Sequence, residues 1–178
     1  MSGFDEEPLE AATTIVRRGR RTEAERVVDR LRELDWTIAV AESLTGGLLV
    51  ASLVDVPGAS ACVRGGIVAY DSALKHSLLG VDAGFLADHG AVQPKVARQM
   101  ADGVREAAAV AGVPAHVGVS TTGIAGPDSP DGQAVGTVHI GVSTPLGTRV
   151  ETLALSGSRE QIRAQAVRRA LRLVLDAL

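Results

Sequence analysis

Apolar residues recur at helical spacing in three long segments of the chain, and each segment starts with a helix-initiating signal. Two of these signals are capping boxes, and the third is a proline suited to the first position of a helix. They are Thr22 with Glu25, Ser158 with Gln161, and Pro94, whose helix is predicted to extend to Ala111. Shorter helices are predicted at 45–54, after Asp71 or Ser72, and at 82–88.

Short apolar runs lie between the helical segments and predict five strands. They are residues 37–41, 65–70, 117–122, 135–143 and 149–155. The last two are joined by a turn that contains Pro and Gly, which is typical of a β-hairpin. Helices that alternate with strands, followed by a hairpin and a helix, predict an α/β fold, a three-layer α/β/α sandwich on a mixed β-sheet.

Three polar or glycine-bearing turns each follow directly after a predicted strand. They lie at Ser43, at 70–75 and at 122–127. In open α/β sheets, ligands bind outside the strand ends near the point where the strand order reverses. We therefore expect the three turns to meet at one rim of the sheet and to form a single site.

The turn after the first strand opens directly into a helix. Backbone N–H groups at a helix start are unsatisfied and positively polarised, which suits an anion or a developing oxyanion. Ser43 lies between the carboxylate of Glu42 and the hydroxyl of Thr45, and it is a candidate nucleophile. Gly46 and Gly47 would let a ligand approach the backbone closely. The alternative is that Ser43 or Thr45 only caps the helix.

Lys75 falls in or near the first turn of the helix after the second predicted strand. The helix dipole disfavours a cation there and lowers the pKa of the amine, so this lysine is a candidate base. It is conspicuous because only two of the 18 Lys and Arg residues are lysines. The alternative is a solvated lysine. The sole tyrosine, Tyr70, is able to bond a hydroxyl or a phosphate, or else it packs at the end of its strand.

Two arginines stand where the helix dipole disfavours a positive charge. Arg159 and Arg163 lie in the first turns of the last predicted helix, where basic residues oppose the helix dipole. Such a departure can mark an anion site, and the alternative is a pair of solvated surface arginines.

The length of 178 residues fits one domain. Residues 1–21 are polar and weakly patterned, so we expect a flexible N-terminal extension followed by one domain over 22–178. Cys62 is the only cysteine, which excludes an internal disulfide and any cysteine-based zinc site. The four histidines show no ligand spacing, and we expect neither a metal nor a cofactor.

Composition also argues against nucleic-acid and membrane partners. The chain has four aromatic residues and a net charge of −3, and its basic residues are scattered apart from a short run at 17–21. A protein that stacks bases needs more aromatic residues, and one that follows a phosphate backbone needs a cluster of basic residues. No apolar run approaches the ~20 residues of a membrane span, and the acidic start is unlike a signal peptide. We expect a cytoplasmic protein that binds a small molecule.

From about residue 22 to its end, the chain resembles the CinA C-terminal domain family, the nicotinamide-nucleotide amidohydrolases. Several motifs in one order carry the resemblance, together with Lys75 and the pair of Arg159 and Arg163. They are AESLTGG (41–47), VPGAS (56–60), GGIVAY (65–70), LGV (79–81), HGAV (89–92), TGIAGP (122–127) and VGTV (135–138).

The resemblance implies hydrolysis of the carboxamide of nicotinamide mononucleotide to nicotinate mononucleotide and ammonia, without a metal or cofactor, as a step of pyridine nucleotide salvage. It implies Ser43, Tyr70 and Lys75 as catalytic residues. It also implies a stand-alone form, since the family is often fused to an N-terminal domain that resembles molybdopterin-binding proteins. We expect a homo-oligomer. The residues expected to bind substrate are Glu42, Thr45, Gly46, Gly47, Thr122, Gly123, Ala125, Gly126 and Arg159.

The expected chemistry follows from these assignments. A neutral Lys75 takes the proton from Ser43, whose oxygen attacks the carboxamide carbon. Backbone N–H groups of 45–47 hold the oxyanion. Tyr70 relays a proton or orients the lysine.

The 5′-phosphate needs its own cradle, for which Thr122, the backbone of 123–126 and Arg159 are candidates. The same groups would serve a nucleotide sensor that performs no chemistry. Two further alternatives are an interaction protein tied to competence or DNA repair, and an amidase that acts on a different amide.

The chain departs from the family pattern at three places. Leu44 stands where the family often has Cys, and Gln93 where a Ser is usual. Gln133-Ala134 replaces a frequent Lys-Pro, and the loss of that cation is expected to alter substrate affinity or preference.

Overall fold

The computed structural model describes residues 21–129 and 132–178. Helices and strands alternate over the first part of the chain, and a hairpin and a helix complete it. In chain order the elements are α1 (Glu23–Glu33), β1 (Ile38–Glu42), α2 (Leu48–Val54), a 3₁₀ turn (Ala59–Ala61), β2 (Val63–Val68), α3 (Ser72–Leu79), α4 (Ala83–His89), α5 (Pro94–Ala107), β3 (Val117–Gly123), β4 (Thr137–Thr144), β5 (Gly147–Ala154) and α6 (Arg159–Leu175).

The five strands form one mixed sheet in the order β2-β1-β3-β4-β5. β1 pairs in parallel with β2 and β3, whereas β4 is antiparallel to β3 and β5. Glu42, the last residue of β1, is in register with Val68 of β2 and Thr121 of β3. The carboxyl ends of the three parallel strands therefore lie side by side at one edge, as the sequence predicts.

Apolar residues pack on both faces of this sheet. Successive residues of a strand point to opposite faces. Ile38 and Val40 accordingly join the apolar cluster formed with α1, α2 and α6, whereas Ala39 and Ala41 join the cluster formed with α3 and α5. The sheet is thus the middle of three layers, and the predicted α/β/α sandwich is confirmed.

The helix-initiating signals in the sequence are used as predicted. Both capping boxes are formed, at the starts of α1 and α6, and Pro94 occupies the first position of α5. α5 ends earlier than the predicted Ala111. The chain turns there instead, because Ala111 has a positive φ of 51° and the backbones of Val110 and Val113 hydrogen-bond each other across the turn.

The predicted flexible extension at 1–21 lies outside the described residues except for Arg21, which pairs with Asp29 of α1 at 2.6 Å. Most of the basic run at 17–21 lies outside them as well. None of the described helices is both long enough and apolar enough to span a bilayer.

Candidate active site

A cavity of about 290 Å³ opens at the carboxyl ends of the three parallel strands. It is lined by Ser43, Leu44, Tyr70, Ser72, Lys75, Gly90, Ala91, Val92, Thr122, Gly123, Ile124, Ala125, Gly126, Asp128 and Arg159. All three turns that the sequence singles out contribute to it. A more open groove of about 750 Å³ lies between α3 and α5, but no Ser, Thr, Cys, His or Lys lines it.

Ser43 follows the last residue of β1, and its side chain reaches the cavity. Its main-chain N–H donates to the Thr121 oxygen at 3.0 Å, which continues the pairing of β1 with β3. The residue is 8% exposed, and no hydrogen bond joins its hydroxyl to another of the described residues. The helix cap is elsewhere, because α2 has Gly47 at its N-cap without a side-chain bond. Ser43 therefore presents an unpaired hydroxyl and does not cap the helix.

Lys75 is almost completely enclosed, with 1% of its surface exposed. Its Nζ donates to the main-chain oxygens of Ala69 at 2.7 Å and Tyr70 at 3.3 Å. Burial lowers the pKa of Lys75 to about 8, and the carboxylate of Asp71, the N-cap of α3, opposes that shift. The alternative of a solvated lysine is wrong.

A neutral amine fits this environment well. It has two N–H donors and one lone pair, and the two carbonyl oxygens of Ala69 and Tyr70 are enough to accept both donors. The lone pair is then free, and Lys75 lines the same cavity as Ser43. The arrangement provides a base and a hydroxyl at one site.

Glu42 is fully buried and caps α2 from inside the protein. Its Oε2 accepts the N–H groups of Gly47 at 2.9 Å and Leu49 at 3.1 Å, and its Oε1 accepts that of Val50 at 2.8 Å. The Glu42 carboxylate is therefore the anion that binds the start of this helix, in place of a ligand. Glu42 does not line the cavity, and its expected contact with substrate is corrected to a structural role.

Two of the predicted oxyanion donors at 45–47, the N–H groups of Gly46 and Gly47, need the same correction. The N–H of Gly46 donates to the Ser43 oxygen at 3.2 Å, and that of Gly47 is held by Glu42. The Thr45 hydroxyl bonds that of Thr121 at 2.7 Å inside the core. Thr45, Gly46 and Gly47 are not among the residues that line the cavity.

Two neighbouring N–H groups of the turn remain available. Within the described residues, the N–H groups of Leu44 and Thr45 have no hydrogen-bond partner. Thr45 is fully buried, and an unpaired buried N–H is rare in folded proteins. Leu44 lines the cavity beside Ser43. One of these donors, Thr45, belongs to the predicted range and the other, Leu44, lies one position earlier, and both N–H groups are free to donate to an oxyanion.

Tyr70 and Arg159 meet at the mouth of the cavity. Arg159 donates to the Gly126 oxygen at 2.7 Å and to the Tyr70 hydroxyl at 3.3 Å. Tyr70 is 63% exposed, and its hydroxyl forms no hydrogen bond to Lys75 or Ser43. Its main-chain oxygen contacts Lys75 instead. Of the two roles expected for Tyr70, orientation of the lysine falls to the backbone.

The third turn contributes backbone more than side chains. The Thr122 hydroxyl donates to the Ala91 oxygen at 2.9 Å, so its proton is not free for a phosphate. Gly123 is packed against β4, where a Cβ would lie 2.6 Å from the Thr137 oxygen. The N–H groups of Ala125 and Gly126 have no partner within the described residues, and both residues line the cavity together with Arg159.

The segment 90–92 also lines the cavity, although the sequence pattern does not predict it as part of the site. Thr122 holds it through Ala91, and Gln133 donates to the Val92 oxygen at 3.0 Å. Gln93 donates to the His89 oxygen at 3.0 Å. Two residues that depart from the family pattern thus fix this segment.

Ser72 and Asp128 also line the cavity without having been predicted. Their positions in the sequence could have indicated this, because Ser72 lies in the second turn and Asp128 directly follows the third.

No cluster of three or more metal-ligating side chains occurs in the part of the chain that the structure describes.

Known proteins resemble this chain over most of its described length. The profile of the CinA C-terminal domain matches residues 20–178. A CinA-like protein of Frankia casuarinae is 51% identical over 148 residues, which cover 83% of this chain and 33% of that protein. A putative competence-damage inducible protein of a Geobacillus strain is 44% identical over 154 residues, which cover 86% of this chain and 36% of that protein. The chain thus spans about a third of the length of these relatives.

Solved structures agree with the fold. A competence-damaged protein (CinA) superfamily protein from Escherichia coli matches with a TM-score of 0.82 and 30% identity over 88% of both chains. The competence/damage inducible protein CihA from Agrobacterium tumefaciens matches with a TM-score of 0.78 and 31% identity, over 88% of this chain and 96% of that one.

Proposed function

Because the chain belongs to the CinA C-terminal domain family, we propose that it hydrolyses the carboxamide of nicotinamide mononucleotide to nicotinate mononucleotide and ammonia, a reaction of pyridine nucleotide salvage. One observation carries the proposal. Ser43, with an unpaired hydroxyl, and Lys75, a buried amine with a pKa near 8, line the same cavity. Nucleophilic amide hydrolysis requires a hydroxyl and a base in one site.

In the first half of the reaction, Ser43 Oγ forms a bond to the carboxamide carbon and passes its proton to Lys75 Nζ. The carbonyl oxygen becomes an oxyanion, which accepts the N–H groups of Leu44 and Thr45. When the tetrahedral intermediate collapses, the C–N bond breaks and Lys75 gives its proton to the departing ammonia. The product of this half is an ester between Ser43 and the nicotinate group.

In the second half, water replaces ammonia. Lys75, now neutral again, takes a proton from the water as its oxygen attacks the ester carbon. The ester bond breaks, and the proton returns from Lys75 to Ser43 Oγ. Nicotinate mononucleotide leaves, and the side chains regain their starting protonation states.

The phosphate of the substrate is assigned to the cavity mouth. Arg159 provides a permanent cation there, and the N–H groups of Ala125 and Gly126 provide backbone donors, a combination that binds phosphate oxygens well. The reacting carboxamide then lies at the inner end, next to Ser43.

The test is to incubate the purified protein with nicotinamide mononucleotide and a chelator, and to quantify ammonia and nicotinate mononucleotide in parallel. The proposal predicts equal amounts of the two products. If calorimetry detects binding of the nucleotide while neither product forms, the chain is a nucleotide sensor. If it neither binds nor hydrolyses this nucleotide, the proposed substrate is wrong.

A further inference from the structure

We propose that Arg163 is a positioning residue that holds the oxyanion-binding turn in its active geometry, an inference that rests on the proposed nucleophilic role of Ser43. Arg163 lies on α6, one helical turn after Arg159. Its Nε donates to the Leu44 oxygen and its Nη2 to the Thr45 oxygen, both at 2.9 Å. One guanidinium therefore binds two successive carbonyl groups of the turn that follows Ser43.

The contact with the Leu44 oxygen determines where the N–H group of Thr45 points. In a trans peptide unit the C=O and the following N–H point in opposite directions, because the unit is planar. When Arg163 holds the Leu44 oxygen, the N–H of Thr45 is turned away from the guanidinium. This N–H has no partner within the described residues, although Thr45 is fully buried. Arg163 thus holds the N–H group of Thr45 in an orientation in which it has no hydrogen-bond partner among those residues.

The local sequence makes room for the guanidinium. A Cβ on Gly46 would lie 3.3 Å from Arg163 Nη2, and Gly46 has a φ of +58° that side chains rarely adopt. Gly46 therefore permits the approach of Arg163 to the backbone, in place of the ligand approach that the sequence suggested. Glu42 binds the N–H groups further along the same segment. The turn is held through its carbonyl groups by a cation and through its later N–H groups by an anion.

The contact is suited to arginine and not to lysine. The guanidinium is planar and presents its donors in a fixed fork, which matches two carbonyl oxygens at once, whereas an ammonium group is a single flexible donor point. A displacement of roughly 1 Å at a reacting site costs about 100-fold in rate, and loss of one oxyanion donor costs roughly 100- to 1,000-fold in kcat. Loss of Arg163 is therefore expected to slow the chemical step and to leave substrate binding little changed.

The experiment compares Arg163→Ala and Arg163→Lys with the wild type and with Arg168→Lys, an exposed arginine on the same helix that serves as the matched control. The first readout is kcat and KM for nicotinamide mononucleotide. The second needs no nucleotide, and it is the rate at which phenylmethanesulfonyl fluoride modifies Ser43, located by peptide mass spectrometry. In that reaction Ser43 Oγ bonds to sulfur, fluoride leaves, and the serine proton passes to Lys75. Thermal unfolding reports the folded fraction of each variant.

We expect Arg163→Ala to lower both kcat and the modification rate by about 100-fold with KM within about threefold of the wild type. Low concentrations of guanidinium ion should restore both rates in this variant and should not affect Arg168→Lys. Arg163→Lys should recover only part of the loss. A purely structural role would lower the unfolding temperature without this rescue.

The outcomes separate this inference from the proposed function. Unchanged rates in folded Arg163→Ala would overturn the positioning role while the deamidase assignment stands. If the wild type leaves the nucleotide intact but Ser43 is modified, and more slowly without Arg163, the inference holds and the proposed substrate is wrong. If the wild type is neither modified at Ser43 nor active on the nucleotide, both are overturned.

Discussion

Lys75 Nζ donates to the main-chain oxygen of Ala69 over 2.7 Å, inside a site where 1% of the lysine surface is exposed. Carbonyl oxygens are dipoles and not full charges, so they do not compensate the cost of burying an ammonium ion. Burial therefore dominates and lowers the pKa of Lys75 to about 8. Because this pKa lies close to neutral pH, Lys75 can accept a proton and return it during the reaction.

The pH dependence of activity should follow this group. If neutral Lys75 is the base, kcat/KM rises about tenfold per pH unit at low pH and levels off above a pH of about 8. The Asp71 carboxylate raises this pKa, so Asp71→Asn should move the rising limb to lower pH. Asparagine also caps helices well, and α3 should stay intact. A profile that stays in place in Asp71→Asn would contradict the assignment of the limb to Lys75.

The same pKa affects stability. The pKa of Lys75 is lower in the folded protein, at about 8, than the ~10.4 of an unfolded lysine. Between these values the unfolded chain binds more protons, so stability rises with pH. Relative to Lys75→Met, the unfolding free energy of the wild type should increase by about 2 kcal/mol from about pH 7 to about pH 9.5. Urea titrations at both pH values measure this, and a constant difference between the two proteins would contradict it.

Arg159 should contribute to binding through the phosphate group. Arg159→Gln removes the cation at the cavity mouth, so KM for nicotinamide mononucleotide should rise roughly 10- to 100-fold with little change in kcat. Nicotinamide riboside lacks the phosphate, and its kinetics should respond much less. Arg168→Gln serves as the control for the loss of one positive charge. Equal effects on the two substrates would show that Arg159 does not contact the phosphate.

Glu42→Gln should destabilise the fold. The carboxylate accepts three backbone N–H groups, whereas an amide offers one oxygen and turns its own N–H₂ toward a donor. We expect a loss of about 2 kcal/mol in unfolding free energy, measured by urea denaturation. Glu33→Gln, at the exposed end of α1, should have almost no effect. Equal stability of the two variants would contradict the capping role of Glu42.

Local signals in the sequence were sufficient to predict much of the fold. The capping boxes at Thr22 and Ser158 act within one turn of helix, and the strand ends converge because parallel strands share an edge. The sequence also predicts Ser43 and Lys75, because Ser43 directly follows β1 and Lys75 lies near the start of α3, the helix that follows β2.

The support of the site could not be predicted in the same way. The sequence pattern predicts that the polarised N–H groups at 45–47 bind a ligand, whereas the carboxylate of Glu42 accepts those of Gly47, Leu49 and Val50. The contact of Arg163 with Leu44 joins residues 119 positions apart, and nothing local in the sequence indicates it. The Tyr70 hydroxyl accepts a hydrogen bond from Arg159. The direction of a side chain at the end of a strand is not determined by the hydrophobic periodicity of the sequence.

The most direct test of the account is the rate of ammonia release from nicotinamide mononucleotide by Ser43→Ala, Lys75→Met and the double variant, with exposed Ser60→Ala as the matched control. We predict that Ser43→Ala and Lys75→Met each lose at least about 10⁴-fold in kcat, and that the double variant loses no more than either, because the two residues act as one unit. Ser60→Ala should match the wild type. Turnover in Ser43→Ala at the level of Ser60→Ala would contradict the central claim.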